Sequence, residues 1–251
     1  MPCELRNRDT RRDAPGVRRG VTMPLLDSLR TARGVARSLL IYYGNRRHGP
    51  AMDRLYARFV KPGDLVFDAG AHVGDRVAAF RRLGARVVAV EPQPALVRTL
   101  RLLYRRDDGV VIEPVALGAA AGTVELKLNV DNPTVSTASD DFVAAARSAP
   151  GWHDQVWNRR VSVPMTTLDA LIARYGTPSF IKIDVEGFEA EALAGLTRPV
   201  AALSFEFTII QRAVAHAALD RCVALGFSGF DAALDWRTFV STAETIATPL
   251  V

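Results

Sequence analysis

Cysteine is nearly missing from the 251-residue chain: Cys3 and Cys222 stand at opposite ends, too few and too far apart for a disulfide framework or a cysteine metal pair. A reducing, cytoplasmic setting is the expectation that follows. No apolar run approaches the ~20 residues that cross a bilayer, so no transmembrane segment is expected. The nearest early stretch, SLLIY at 38–42, is far too short and no small-residue cleavage site follows it, which argues against a secretory signal. Lysine is scarce as well, with Lys61, Lys127 and Lys182 the only three among 32 cations. Basic charge is lacking in the body of the chain. Residues 1–60 hold thirteen Arg against five acids, whereas residues 61–251 hold nineteen cations against twenty-two acids. Basicity therefore belongs to an arm, and no nucleic-acid partner is expected for the main domain.

What is present divides into three parts. Residues 1–22 are polar and Arg-rich with almost nothing to bury, and read as a disordered basic arm. Residues 23–60 read as an N-terminal helical cap. Leu25, Leu26, Leu29, Ala32, Ala36, Leu39 and Leu40 recur at helical spacing, and Pro50 opens a second helix. From residue 61 to residue 251, short apolar strands (LVFDA, RVVAV, VVIEPVAL, SFIKIDV, ALSFEF) alternate with amphipathic helices. This rhythm predicts one α/β domain, a Rossmann-like, mainly parallel, doubly wound sheet covered on both faces. A polar excursion at 131–157 interrupts it and has the length of a lid over an acceptor site. Trp152 and Trp157 within it suit either stacking on a sugar face or packing the excursion onto the domain.

The stretch VFDAGAHVGD carries Asp68, Gly70, Ala71, His72 and Gly74 between a strand and a helix. A dinucleotide loop requires Gly-x-Gly-x-x-Gly; here the middle glycine is missing and an acid ends the strand. Negative charge is awkward beside a pyrophosphate but suits the ammonium and sulfonium of S-adenosylmethionine. His72 is expected to be a solvent-facing loop side chain. Glu91 ends the second strand, where an acid accepts from both ribose hydroxyls, a feature that NAD-binding proteins share. Ala116 and Leu117, at the end of the third strand, are expected to face the adenine. The competing reading of the two glycines is a tight strand-to-helix turn with no ligand.

A second acidic group lies in IKIDVEGFEAE at 181–191. Asp184 ends a strand at the topological switch point, Glu186 follows it, and Glu206 in the next strand aims at the same crevice. Asp184 and Glu206 are the candidates to take a proton from a substrate hydroxyl. Glu186, Glu189 and Glu191 read as early helical residues, favoured there by the macrodipole. Lys182 is expected to neutralise one of these acids. No metal ligand set is assigned, although Mg²⁺ on hard oxygen ligands remains an alternative use of the carboxylates. A nicotinamide oxidoreductase would need the missing glycine and a Tyr-x-x-x-Lys pair, and neither is present. A nucleic-acid methylase would show an Asn-Pro-Pro-aromatic motif, also absent.

VFDAGAHVGD, VVAVEPQP, VPMTTLDALI, FIKIDVEGFEAEAL and SFEF together resemble the FkbM family of S-adenosylmethionine-dependent methyltransferases, across about residues 60–210. The resemblance implies a seven-stranded class I methyltransferase fold over residues 61–251 and methyl transfer to a hydroxyl of a sugar or small natural product. It implies that Asp68, Gly70 and Gly74 form the cofactor loop, that Glu91 holds the ribose, and that Asp184 and Glu186 line the reacting end. His72 stands where many relatives have Asn. After Phe239, STAETIATPLV is short and Thr-rich, so the last strands of the sheet are expected to be curtailed, which leaves a non-catalytic cofactor-binding relative as the alternative. No motif specifies an oligomeric state or the small-molecule acceptor.

Overall fold

The structure is a computed structural model describing residues 25–45, 47–234 and 242–249. The expected basic arm at 1–22 lies outside these residues. Two helices come first, α1 (Leu25–Tyr43) and α2 (His48–Tyr56). The core repeat then runs β1 (Leu65–Ala69), α3 (Asp75–Arg82), β2 (Arg86–Val90), α4 (Pro94–Leu103) and β3 (Val110–Glu113). Next come β4 (Ala116–Leu117), β5 (Gly122–Leu128), a 3-10 turn at Pro133–Val135, α5 (Asp140–Ser148) and β6 (Arg159–Thr166). The chain closes with α6 (Leu168–Tyr175), β7 (Phe180–Ile183), α7 (Glu189–Ala194), β8 (Ala202–Thr208), α8 (Arg212–Ala224), β9 (Phe227–Leu234) and β10 (Thr242–Pro249).

Seven strands form the main sheet in the order β3-β2-β1-β7-β8-β10-β9. The first five run parallel; β10 is antiparallel to both β8 and β9. Chain order reverses between β1 and β7, so the carboxyl ends of these neighbours open a crevice at the switch point. Their sequences explain the placement: β1 and β7 are apolar but for the paired Asp68 and Lys182, and are buried along their whole lengths. One face packs Phe67, Ile181, Ile183, Leu193, Leu203 and Phe205, and the other packs Tyr56, Val66, Phe80, Leu100 and Phe180. Tyr56 brings α2 into that second layer, its ring tilted against Phe80 and edge-on to Phe180. No helix of the described residues is long and apolar enough to cross a membrane.

Three expectations need correction. VVIEPVAL is two strands in two sheets: Pro114 has no N–H to continue the ladder, and beyond it Ala116–Leu117 join β5 and β6 in a separate three-stranded sheet. The excursion between β5 and β6 is built structure, with Ser139 capping α5 by accepting from the Phe142 N–H. The terminal strands are not curtailed. TAETIATP carries four β-branched residues, Thr242, Thr245, Ile246 and Thr248, and pairs on both sides as β10, completing seven strands.

Candidate active site

The site forms where the β1, β2, β7 and β8 ends meet under α1. Backbone conformation sets it up: Gly70 and Gly74 have φ of 76° and 84°, left-handed values that side chains rarely adopt. A Cβ on Gly70 would overlap the carbonyl oxygen of Asp184, and one on Gly74 would come within 2.8 Å of Leu100 Cδ2. The two glycines therefore serve close packing of the β1 loop against β7 and α4 as well as the turn. Ala71 is buried between them.

Glu91, 2 % exposed, ties two loops together by accepting from the backbone N–H of His72 at 2.9 Å and of Gln93 at 2.8 Å. Burial pushes its carboxyl up to about 8, against the pull of those two N–H groups. The folded protein thus keeps a proton that an unfolded glutamate releases near 4.5, and stability falls as pH rises through that window. Glu189, buried and pushed up to about 7, adds to the same slope. Glu91→Gln is expected to flatten the decline in melting temperature between pH 5 and pH 9 that the wild type shows. Parallel curves for the two proteins would mean that Glu91 is ionised throughout.

His72 is not a solvent-facing side chain. Its backbone is left-handed at φ 50°, its ring lies edge-on to Tyr42 at 5.4 Å, and Nε2 is 3.4 Å from Thr134 Oγ1. Burial under α1 and the 3-10 turn lowers its pKa to about 4, so the ring is neutral at physiological pH. Asp68 differs from expectation in another way: it is fully buried and does not itself wall the crevice. Lys182 Nζ stands between it and the cavity, 3.4 Å from Asp68, 3.1 Å from Asp184, and donating to the Gly70 carbonyl at 3.1 Å. One ammonium therefore serves two carboxylates and the cofactor loop.

Asp184, Glu186 and Glu206 are half-buried and bring one oxygen each within 4.8 Å of one another. Their charges separate. Burial opposes ionisation of Asp184, but Lys182 and a hydrogen bond with Glu206 hold it below the usual carboxylate range. Burial and the Asp184 charge push Glu186 and Glu206 well above theirs. Within the trio Asp184 is thus the group favoured to carry the charge, and Glu206, hydrogen-bonded to it, and Glu186 are the groups favoured to hold protons. Glu186 is not in a helix: its φ is 54°, its carbonyl accepts from Thr137 Oγ1 at 2.6 Å, and α7 begins three residues later. Glu189 and Glu191 do open α7, and Glu189 Oε1 accepts from the Val185 and Gly187 N–H groups, which fixes the loop.

These groups wall one cavity of about 440 Å³, the size of a small-molecule site. Gly70 and Glu91 lie at one part of it, Ala116 and Leu117 line an apolar side, and the acidic trio lies at the β7–β8 end. Sequence reading missed Tyr42, Asp75 and Gln155 in its lining. Tyr42 and Gln155 reach it from segments remote in sequence. Asp75, placed by the first turn of α3, hydrogen-bonds His48 at 3.0 Å; its acid in GDRV was a legible signal.

A mainly parallel seven-stranded sheet with this antiparallel insertion and an acid-lined crevice at its switch point defines a class I, Rossmann-like methyltransferase fold. Residues 68–238 match the methyltransferase FkbM domain, and the chain belongs to that family. Hexuronic acid methyltransferase AglP of Haloferax volcanii is 24 % identical over 163 residues, which is 64 % of this chain and 62 % of that protein. The chain thus spans less than two thirds of that curated relative. Among solved structures, the fibrillarin of Aeropyrum pernix with natively bound S-adenosyl-L-methionine matches 79 % of this chain and 73 % of its own, with TM-score 0.49 and 11 % identity. Precorrin-6y C5,15-methyltransferase of Geobacter metallireducens covers 82 % of this chain and 90 % of its own, with TM-score 0.44 and 10 % identity.

Proposed function

We propose that the protein is an S-adenosylmethionine-dependent methyltransferase that acts on a hydroxyl oxygen of a sugar or a sugar-bearing small molecule. The observation that carries the reading is the carboxyl trio of Asp184, Glu186 and Glu206, with Lys182 against Asp184, in a cavity shared with the glycine loop and Glu91. Family membership supports methyl transfer, and the relative named for hexuronic acid supports a sugar acceptor.

The residues present fit the cofactor. Gly70 lacks the Cβ that would close the loop, Glu91 retains lone pairs for ribose hydroxyls, Ala116 and Leu117 offer an apolar face to a base, and the carboxylates suit an ammonium. When bound, S-adenosylmethionine supplies an electrophilic methyl to an oxygen nucleophile. Asp184 receives the proton of the acceptor hydroxyl on its carboxylate oxygen, and Glu206 steadies that oxygen by donating a hydrogen bond. Lys182, already paired on both sides, holds Asp184 anionic and in place. Alignment of acceptor and methyl within a water-poor cavity supplies the larger share of the rate, up to several kcal/mol through effective molarity.

Calorimetric titration of wild type and Glu91→Ala with S-adenosylmethionine and, separately, NAD tests the reading. Micromolar binding of the sulfonium cofactor alone, lost in the variant, is expected. Binding of NAD instead would sink it, and no binding of either by folded protein would favour a non-catalytic relative.

A further inference from the structure

The excursion between β5 and β6 lies across the cavity, bonded at one end to the Glu91 loop and at the other to the acidic end. Gln93 Nε2 donates to the Pro133 carbonyl at 3.0 Å, and Thr137 Oγ1 donates to the Glu186 carbonyl. Trp152 and Gln155 are among its residues that line the cavity. The two tryptophans have different duties. Trp157 donates its Nε1–H to the Val135 carbonyl at 2.7 Å and holds the excursion together. Trp152 touches Phe142 with ring planes 87° apart, so the phenyl ring supports it from the side and not by stacking, and the indole borders the cavity.

Gln155 has a defined orientation. The Asn132 N–H donates to Asn129 Oδ1 at 3.0 Å, which fixes the Asn129 amide so that Nδ2 is its donor end. That Nδ2 donates to Gln155 Oε1 at 3.0 Å, and Asn132 Nδ2 donates to the same oxygen at 3.0 Å. With Oε1 saturated by two donors, the Gln155 Nε2 amide keeps two hydrogens that have no partner among the described residues. A donor placed this way at a cavity wall matches a ligand oxygen.

Resting on the methyltransferase reading above, we infer that Trp152 and Gln155 form the wall that reads the acceptor. A pyranoside ring lies on the indole face, and one of its oxygens accepts from Gln155 Nε2. The wall supplies a hydrogen-bond donor in the same cavity as the acidic trio, so it sets which way round the sugar enters and therefore which hydroxyl meets Asp184. Apolar ring face and exocyclic oxygen together describe a carbohydrate better than either a purely apolar or a phosphate-bearing ligand.

The test uses the full chain loaded with S-adenosylhomocysteine and titrated, by saturation-transfer NMR, with methyl β-D-glucopyranoside and methyl β-D-glucuronide. Gln155→Glu keeps an oxygen for Asn129 and Asn132 but removes the donors, and Trp152→Leu removes the platform. Each variant is expected to bind the better glycoside at least about tenfold more weakly, with S-adenosylhomocysteine affinity within about twofold of wild type. Equal glycoside affinity in wild type and both variants, or no binding of either glycoside by loaded wild type, would overturn the inference. So would a selective loss of S-adenosylhomocysteine affinity, which would assign the wall to the cofactor. Failure of the wild type to bind S-adenosylhomocysteine would instead overturn the methyltransferase reading, and the two failures are separated by which titration goes silent.

Discussion

Asp184→Asn is expected to lower turnover by roughly 10²–10⁴-fold while S-adenosylmethionine affinity stays within a few-fold of wild type. The substitution preserves shape and removes the one group in the trio held below the usual carboxylate range. Asparagine cannot take the acceptor's proton, and burial, the larger cause of the raised Glu186 and Glu206 values, still opposes ionisation of both neighbours once the Asp184 charge is gone. The wild-type rate should fall on the acid side as Asp184 takes up a proton and should be flat at neutral pH; single-turnover rates across pH read this directly. Chelator-treated wild type assayed with and without Mg²⁺ separates a proton-accepting cluster from a cation-holding one, since three oxygens within 4.8 Å would also suit a hard divalent ion. A rate unchanged by the chelator and a loss of less than tenfold in the variant would together remove Asp184 as the base.

The second large effect is on stability. Lys182 is 4 % exposed and lies beside Asp68, which is 0 % exposed. Breaking a buried pair from one side leaves the other charge without compensation, and Lys182→Met is expected to cost roughly 3–5 kcal/mol. Urea unfolding at pH 7 would show it as a lower midpoint. Adding Asp68→Asn should recover part of the loss, since the stranded charge is then gone while the shape remains. A double variant no more stable than Lys182→Met would show that the lysine acts through the Gly70 carbonyl or Asp184 and not through Asp68. Because Asp68 is pushed up by burial and held down chiefly by Lys182, the single variant should also lose more stability as pH rises.

The strands, the glycine loop and the acids at strand ends were legible because they depend on local pattern: apolar runs of strand length, glycines at turns, and carboxylates at the carboxyl ends of neighbouring parallel strands. What was not legible depends on chain segments far apart in sequence. His72 is buried by Tyr42, thirty residues upstream, and by Thr134, sixty-two residues downstream. Pro114 marks a break in the VVIEPVAL run but not that its halves join different sheets, because both halves are equally apolar and only the pairing partners differ. Asp68 seemed a ligand group by its place at the strand end, yet Lys182 stands between it and the crevice. That ammonium was read as neutralising one acid, and geometry gives it two. The amide orientation of Gln155 is set by Asn129 and Asn132 across a loop, a relation that no spacing rule encodes.

The position of β10 has a consequence for how the molecule is made. It is the last described strand in the chain, yet it sits inside the sheet, with β8 on one side and β9 on the other. Until residues 242–249 have left the ribosome, the strand that carries Glu206 has an open edge, and β9 has no neighbour to hold it. The glycine loop and Asp184 lie at the ends of strands synthesised earlier, so a nascent chain can assemble the β1–β7 part of the crevice before the β8 part has its final neighbour. An open parallel-sheet edge at that stage is a point where two unfinished chains can pair with each other. Pairing of residues 242–249 with β8 therefore guards the strand that carries Glu206 against association between unfinished chains.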